Sequence, residues 1–596
     1  MPTKTLRTAA LGLSIAVALA ACGGGGSDAA PPSSSPAPAP APAPGPAPAP
    51  APGPAPAPAP APAPGPAPAP APAPTPAPAP PPVAALPTAI EASRFLQQMS
   101  FGPNEAEIAA VQSKGFRQYL LDQFSAPAST YASGGSDEIN TTMEKDFCNA
   151  KFPQGGTARD NCWRDWYSSE PLKWDFFRQA VENPDQLRQR MAHALAQIVV
   201  VSDRETEGTY GMREYYQMLR NNAFGNYRNI LREVTLSPLM GDYLDMVNNE
   251  AAAPNENFAR ELLQLFSIGV CDLNLDGTLK GGKCTATYDN TTVRNYSYAL
   301  TGWTYPAGGK NPWCNNGVCG GWQNNAYYRG RMVSVAAQHD KTERVLLSGT
   351  TVPASRTPDQ ALNSVLDSVM NHPNTAPFIS KQLIQFFVTS NPSPAYVSRV
   401  ATVFNSGTFD GITGGTGKGD LRAVIAAILL DAEARDMNRM TDASFGKLRE
   451  PILYMTGALR AFGGVTDGVP LGRWWFGDAM GQPVFSSPSV FNYYPPDYPL
   501  PGNAGLLAPQ FGIAGASTVM GRSNFANSLF MWWYNKGGTY APDATVFSGR
   551  GTRVNYSLFE ADAVDAGKLV DRLNLLLLNG RLSAQDRAQV VTAVET

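Results

Sequence analysis

From residue 36 to residue 82 the chain alternates Pro with Ala, interrupted by a few Gly and one Thr. Pro has no N–H to give to a helix or a ladder, and its ring fixes φ. These 47 residues therefore have no packed core to join, and the expected conformation is polyproline II. At ~3.1 Å per residue, the run reaches on the order of 145 Å when fully extended. Its expected role is spacing, although proline-rich ligand peptides share the composition. With the Gly-rich residues before it, the run forms a linker over 23–87. It separates a short N-terminal segment, 1–22, from a folded region, 88–596.

The short segment reads as an export signal. Lys4 and Arg7 supply positive charge, and 9–21 is an apolar stretch too short to span a bilayer. It ends in Leu19-Ala20-Ala21-Cys22, which resembles a bacterial lipobox. Cys22 is then the expected lipidation site, anchored by buried methylenes at ~0.8 kcal/mol each. The alternative is an ordinary cleaved signal with an incidental Cys. Gly23 follows, not Asp, so nothing argues for inner-membrane retention. The expected location is the outer membrane, facing the periplasm or the cell surface.

The remaining residues suffice for a large core. The formal net charge is -3 and no basic run occurs, which argues against nucleic acid as a partner. No second apolar stretch is long enough to span a membrane. Six Cys follow Cys22 in close pairs: Cys148 with Cys162, Cys271 with Cys284, Cys314 with Cys319. An even number in an exported chain reads as disulfides, and local pairing is the simplest connectivity. No His adjoins any pair, which weakens a zinc reading.

Helical spacing of apolar residues dominates the folded region. It predicts helices over 90–98, 105–124, 185–201, 210–223, 227–235, 238–247, 256–268 and 291–300. Further helices are predicted over 358–371, 375–389, 394–404, 420–434, 447–462, 566–578 and 583–594, the last with Ser583 as N-cap. Strand-like runs are few and short, such as 344–347. The expected fold is all-α: a large multi-helix globular domain with long, aromatic, disulfide-stapled loops. Two such loops are 301–328, with Trp303, Tyr305, Trp313, Trp322, Tyr327 and Tyr328, and 474–498, with Trp474, Trp475, Phe485, Phe491, Tyr493, Tyr494 and Tyr498.

A series of motifs, in order along this region, resembles the bacterial domain of unknown function 1800 family. They are Arg94-Phe95-Leu96 with Ser100-Phe101-Gly102-Pro103, and Leu187-Arg188-Gln189-Arg190-Met191-Ala192. Next is the stretch Asn255-Glu256-Asn257-Phe258-Ala259-Arg260-Glu261-Leu262-Leu263-Gln264-Leu265-Phe266, ending in Gly269. Ala299-Leu300-Thr301-Gly302-Trp303, His339-Asp340, His372-Pro373-Asn374-Thr375 with Phe378-Ile379, and Ser487-Pro488-Ser489-Val490-Phe491-Asn492 complete the series. The resemblance implies an exported, helix-rich protein of uncharacterised function. It also implies an exported phosphatase- or sulfatase-like protein as a partner, since genes for such proteins often neighbour the family's own. Thr292 and Tyr298 stand where family members often carry an acidic residue and Arg, so an ion pair at those positions is lost.

Candidate chemistry centres on Glu261. At about 100° per residue, Phe258, Leu262, Leu265 and Phe266 form an apolar face, and Glu261 falls within the apolar arc. An ionised carboxylate there needs a partner, a proton or a cation. Asn257 lies one turn earlier on the same side, while Glu256, Arg260 and Ser267 lie opposite. Only three His occur. His193 falls in a predicted helix and reads as structural, and His372 reads as a cap. His339, with Asp340, falls in a loop, making Glu261, His339 and Asp340 the candidate acid–base set. Asp245, Asn249, Asn257, Arg260 and Trp303 are the binding candidates.

There is no H-E-x-x-H helix and no G-x-S-x-G elbow. The Gly-rich 414–419 resembles a phosphate loop without its first Gly and its Ser/Thr, and reads as a flexible loop. The 272–277 stretch opens like a calcium loop, but Lys283 stands at the twelfth position. No cofactor is evident, and a divalent metal remains an option at Glu261. The aromatic loops offer stacking surfaces for sugars, although aromatics beneath long loops usually pack inward. The leading expectation is a membrane-tethered surface module that binds a glycan, such as envelope polysaccharide, or an exported protein. The alternative is a hydrolase-like envelope enzyme, with or without the help of a metal, built on Glu261, His339 and Asp340.

Overall fold

The folded region opens with a capping box: Glu91 N–H donates to Thr88 Oγ1 at 3.3 Å and Thr88 N–H to Glu91 Oε2 at 2.8 Å. This starts the Ala89–Met99 helix, which packs against Glu105–Ser125. A computed structural model describes residues 86–132, 147–206, 209–309, 321–472, 476–532, 536–546 and 549–595. Cys22, the Pro–Ala run, Trp313, the Cys314 and Cys319 pair, Trp474 and Trp475 lie outside the described residues.

The fold is helix-rich. One deeply buried helix is Leu421–Leu430, in which Leu421, Val424, Ile425, Ile428 and Leu429 are fully buried. A helix apolar on nearly all sides, Arg422 apart, belongs within a core. The Thr375–Phe387 and Pro394–Ser406 helices form a hairpin against it. Among the described residues, nine short strands form four small antiparallel sheets. They tie loops together and build no layer of their own. No described helix is long and apolar enough to cross a membrane.

Close backbone approach explains one motif. Gly102 has φ +136°, and a Cβ on it would lie 2.4 Å from Gly457 Cα. The Pro451–Ala461 helix is sealed there by Arg460 Nε donating to the Gly102 carbonyl at 2.7 Å. Ser100-Phe101-Gly102-Pro103 is therefore a packing device.

Several predicted helices stop early. The 185–201 prediction gives Gln186–Ala196, and 238–247 gives Pro238–Tyr243. In the second case Asp245 and Asn248 take left-handed φ values of 55° and 61°, which turn the chain back. The 447–462 prediction gives Pro451–Ala461, because Pro fits the first helical turn and holds the preceding Glu450 extended. Helices Thr157–Tyr167, Glu170–Glu182 and Ala516–Asn527 have no counterpart in the sequence reading.

Candidate functional site

The structure gathers most of the expected binding residues in one loop cluster. Asn257 Nδ2 donates to Asp245 Oδ2 at 2.7 Å, and Asn255 N–H to Asn249 Oδ1 at 2.8 Å. Gly302 N–H donates to the Asn249 carbonyl, and Asn248 N–H to the Trp303 carbonyl. Gly302, at φ +84°, lets His339 approach where a Cβ would meet it at 2.9 Å. Trp303 is buried with its Nε1 unpartnered. Arg260 turns outward to Glu256 at 3.1 Å.

The acid–base set does not assemble through direct contacts. Asp340 is occupied by Arg344 at 2.6 Å, and the Arg344 guanidinium stacks 3.6 Å from the Tyr298 ring centre. Tyr298, a position where Arg was expected from the resemblance, instead carries an Arg on its face. His339 Nδ1 donates to the Thr301 carbonyl at 2.9 Å, and burial pushes the imidazole below its ordinary value. Glu261 is buried, as its place on the helix predicts, and its Oε2 has no partner. Burial raises its carboxyl, opposed only by the Arg260 charge. Asn257 bonds Asp245 and not Glu261. Among the described residues no hydrogen bond or ion pair joins Glu261 to His339 or Asp340. Nor does any group of three His, Cys, Asp or Glu there form a metal-holding set.

The other motifs resolve as structure. Disulfides join Cys148 to Cys162 and Cys271 to Cys284. Inside the second loop, Asp276 Oδ1 is taken by Thr278. The Gly-rich 414–419 loop is pinned: Asp420 Oδ2 accepts Gly414 N–H at 2.7 Å and Thr416 N–H at 3.2 Å. A buried carboxylate thus occupies the amides a phosphate would need. His372 Nδ1 accepts Asn374 N–H at 3.2 Å. In the first aromatic loop, Trp303 and Tyr305 are buried, and Tyr305 and Tyr328 both donate to Asp242. These rings face the core.

A second centre was not foreseen. Glu450, 1 % exposed, lies just before Pro451, where its extended backbone aims the side chain inward. It does not cap its helix. His193 Nε2 lies 3.2 Å from Oε1, while Gln482 Nε2 and Tyr494 Oη donate to Oε2 at 2.7 and 2.8 Å. Arg190, from the Leu187–Ala192 motif, stands 3.9 Å away. Burial alone would raise the Glu450 carboxyl, but His193, Arg190 and Lys447 outweigh it and hold it well below the ordinary range. Lys447 donates to the Phe386 carbonyl and, at 3.3 Å, to the Gln385 carbonyl. Burial and the Arg190 charge push its amine down to about 7.

This network backs a small cleft of about 60 Å³. Leu265, Phe378 and the Val490-Phe491-Asn492 turn line it, so three of the motif segments converge there. Gln197, Gln382, Gln385, Asn492 and Gln510 bring side-chain amides, and no charged residue lines the walls. Asn492 Nδ2 donates to Gln197 Oε1 at 3.2 Å, and Tyr494 Oη reaches the same oxygen at 3.2 Å. Gln197 and Asn492 also line a smaller cavity beside His193, so their bond is the partition between the two. Gln382 Nε2 and Gln510 Oε1 are buried with no partner. Phe485 and Asn492 both have φ of 66°. Asn tolerates that conformation. For Phe it costs of order 1–3 kcal/mol, a strain that clusters at functional places.

Searching by titratable residues missed this cleft because its walls are neutral. The signal that pointed to it was the second aromatic loop. Comparison with curated proteins and with solved structures gives no match. A family model described as a protein of unknown function, DUF1800, matches residues 94–596. With most of its length covered, this chain belongs to the DUF1800 family.

Proposed function

We propose that this protein is an exported, lipid-anchored binding module that holds an uncharged ligand in the cleft backed by Glu450. The observation that carries this reading is a mostly apolar cleft with side-chain amides and aromatic rings among its lining residues and no charged one. Groups that neither titrate nor bind metal recognise; they do not readily catalyse. Cys22 is the anchor, the outer membrane the location, and the Pro–Ala run the spacer. An envelope glycan or an exported protein, the phosphatase- or sulfatase-like neighbour among them, is the occupant class.

The hydrolase-like reading keeps one observation in its favour, the unpartnered Oε2 of Glu261. The engagement of Asp340 by Arg344 weighs against it.

Two arms test the proposal. Wild-type protein is expected in the membrane fraction and to incorporate labelled palmitate, and Cys22→Ser to become soluble and unlabelled. In that soluble background, co-sedimentation with isolated envelopes is expected to fall about tenfold with Phe491→Ala, the loss of one buried anchor contact. Glu261→Gln is expected to leave it unchanged. The reverse pattern favours the enzyme reading.

A further inference from the structure

We infer that the 488–492 turn is a gate: it shuts off an inner cavity beside His193, and a single hydrogen bond holds it closed. The gate controls how far the cleft proposed above extends, but it stands on the geometry of the turn and is tested without a ligand. The inner cavity measures about 20 Å³ and is lined by His193, Phe485 and Tyr493 among others. Gln197 and Asn492 line both it and the cleft of about 60 Å³. The partition between them is the 3.2 Å bond from Asn492 Nδ2 to Gln197 Oε1. Behind it, Gln197 Nε2 lies 3.1 Å from His193 Nε2, which in turn lies 3.2 Å from Glu450 Oε1. Closed, the cleft ends at neutral amides. Open, it leads to a His–Glu pair.

The turn is lightly held between two fixed flanks. On one side a single loop pins three successive carbonyls. Asp203 N–H donates to Phe485 at 3.0 Å, Arg204 Nε to Ser486 at 3.0 Å and Ser202 Oγ to Ser487 at 2.7 Å. The Phe485 ring also packs 4.1 Å from Tyr216 and 5.4 Å from Phe176, centre to centre. These contacts hold Phe485 at φ 66°, which a bulky residue keeps only where its surroundings impose it. On the other side Tyr493 Oη donates to the Pro483 carbonyl, and Tyr494 Oη to Glu450 Oε2 at 2.8 Å. Between the flanks the ties are few. Pro488 and Phe491 are exposed, and Asn492 N–H bonds back within the turn to the Ser489 carbonyl. Among the described residues, the Asn492 bond to Gln197 is the one hydrogen bond from 488–492 to the rest of the chain. A net hydrogen bond is weak against the whole fold, so this stretch opens locally while the flanks and core stay in place.

The chain has only three His, which makes their labelling a direct readout. His339 and His372 are buried like His193 but line neither cavity, so they serve as internal references. The test is carbethoxylation of the full-length Cys22→Ser protein by diethyl pyrocarbonate, with each His followed by mass spectrometry. Asn492→Gly removes the amide and keeps the left-handed φ without strain. It is expected to speed labelling of His193 about fivefold, the weight of one typical hydrogen bond, with His339 and His372 unchanged. Asn492→Asp keeps the side-chain shape but cannot donate to Gln197, and is expected to act in the same way. An unchanged His193 rate in both variants overturns the gate. So does an equal rise at all three His in both, which reports unfolding of the whole domain. Either failure leaves the binding reading intact if envelope co-sedimentation still depends on Phe491.

Discussion

Glu261 and Glu450 are both buried carboxylates, yet their environments push them in opposite directions. Glu450 has three hydrogen-bonding neighbours and the charges of Arg190 and Lys447. Glu261 has one orphaned oxygen and a weak opposing charge. A buried pair that loses one partner leaves an uncompensated charge. Glu450→Gln is therefore expected to lower the unfolding free energy by about 3–5 kcal/mol, measured by urea denaturation at neutral pH. Lys447 gives a pH signature. Its amine falls from an ordinary 10.5 to about 7 on folding. Between those values the unfolded chain holds a proton that the folded chain does not. Stability therefore rises with pH across that window, and the full cost applies below it. Lys447→Met is expected to flatten unfolding free energy against pH over the same window, and an unchanged slope contradicts the assignment.

At the scale of elements, the Cys271–Cys284 bridge closes a loop across a separation of 13 residues. Asn374 also clamps it: Leu273 N–H donates to Asn374 Oδ1 at 3.0 Å, and Asn374 Nδ2 to the Cys271 carbonyl at 2.8 Å. Replacing both Cys by Ala is expected to cost about 2–4 kcal/mol of stability in urea unfolding, with helical circular dichroism retained. Helices such as Pro358–Asn371 and Ala566–Leu578 were legible because each shows one apolar stripe. Glu170–Glu182 was not, because Leu172, Trp174, Phe176, Phe177, Ala180 and Val181 bury most of its circumference and leave no stripe. The burial of Glu261 was legible from spacing alone. Glu450 was not, since helical spacing ran through it, and Pro451 moved the helix start and freed its side chain. The cleft escaped for another reason. Its amides and rings come from positions as far apart as Gln197 and Gln510, and neutral side chains carry no pattern in sequence.

The whole molecule pairs a modest charge of -3 with one extensive core from Ala92 to Val594. The family motifs divide between holding that core and shaping the cleft. Gly102 seals a helix crossing, Arg190 braces Glu450, and Leu265, Phe378 and Phe491 reach the walls. Ligand binding in the cleft would restrain the turn around Asn492 against the Thr375–Phe387 helix, far in sequence from the Glu261 loops. Hydrogen–deuterium exchange of the Cys22→Ser protein, with and without solubilised envelope material, separates the two places without knowledge of the ligand. The expected result is slowed exchange in 382–388 and 487–498, with the 245–261 and 301–340 loops unaffected. Slowed exchange confined to those loops contradicts the cleft as the binding site and returns the function to Glu261.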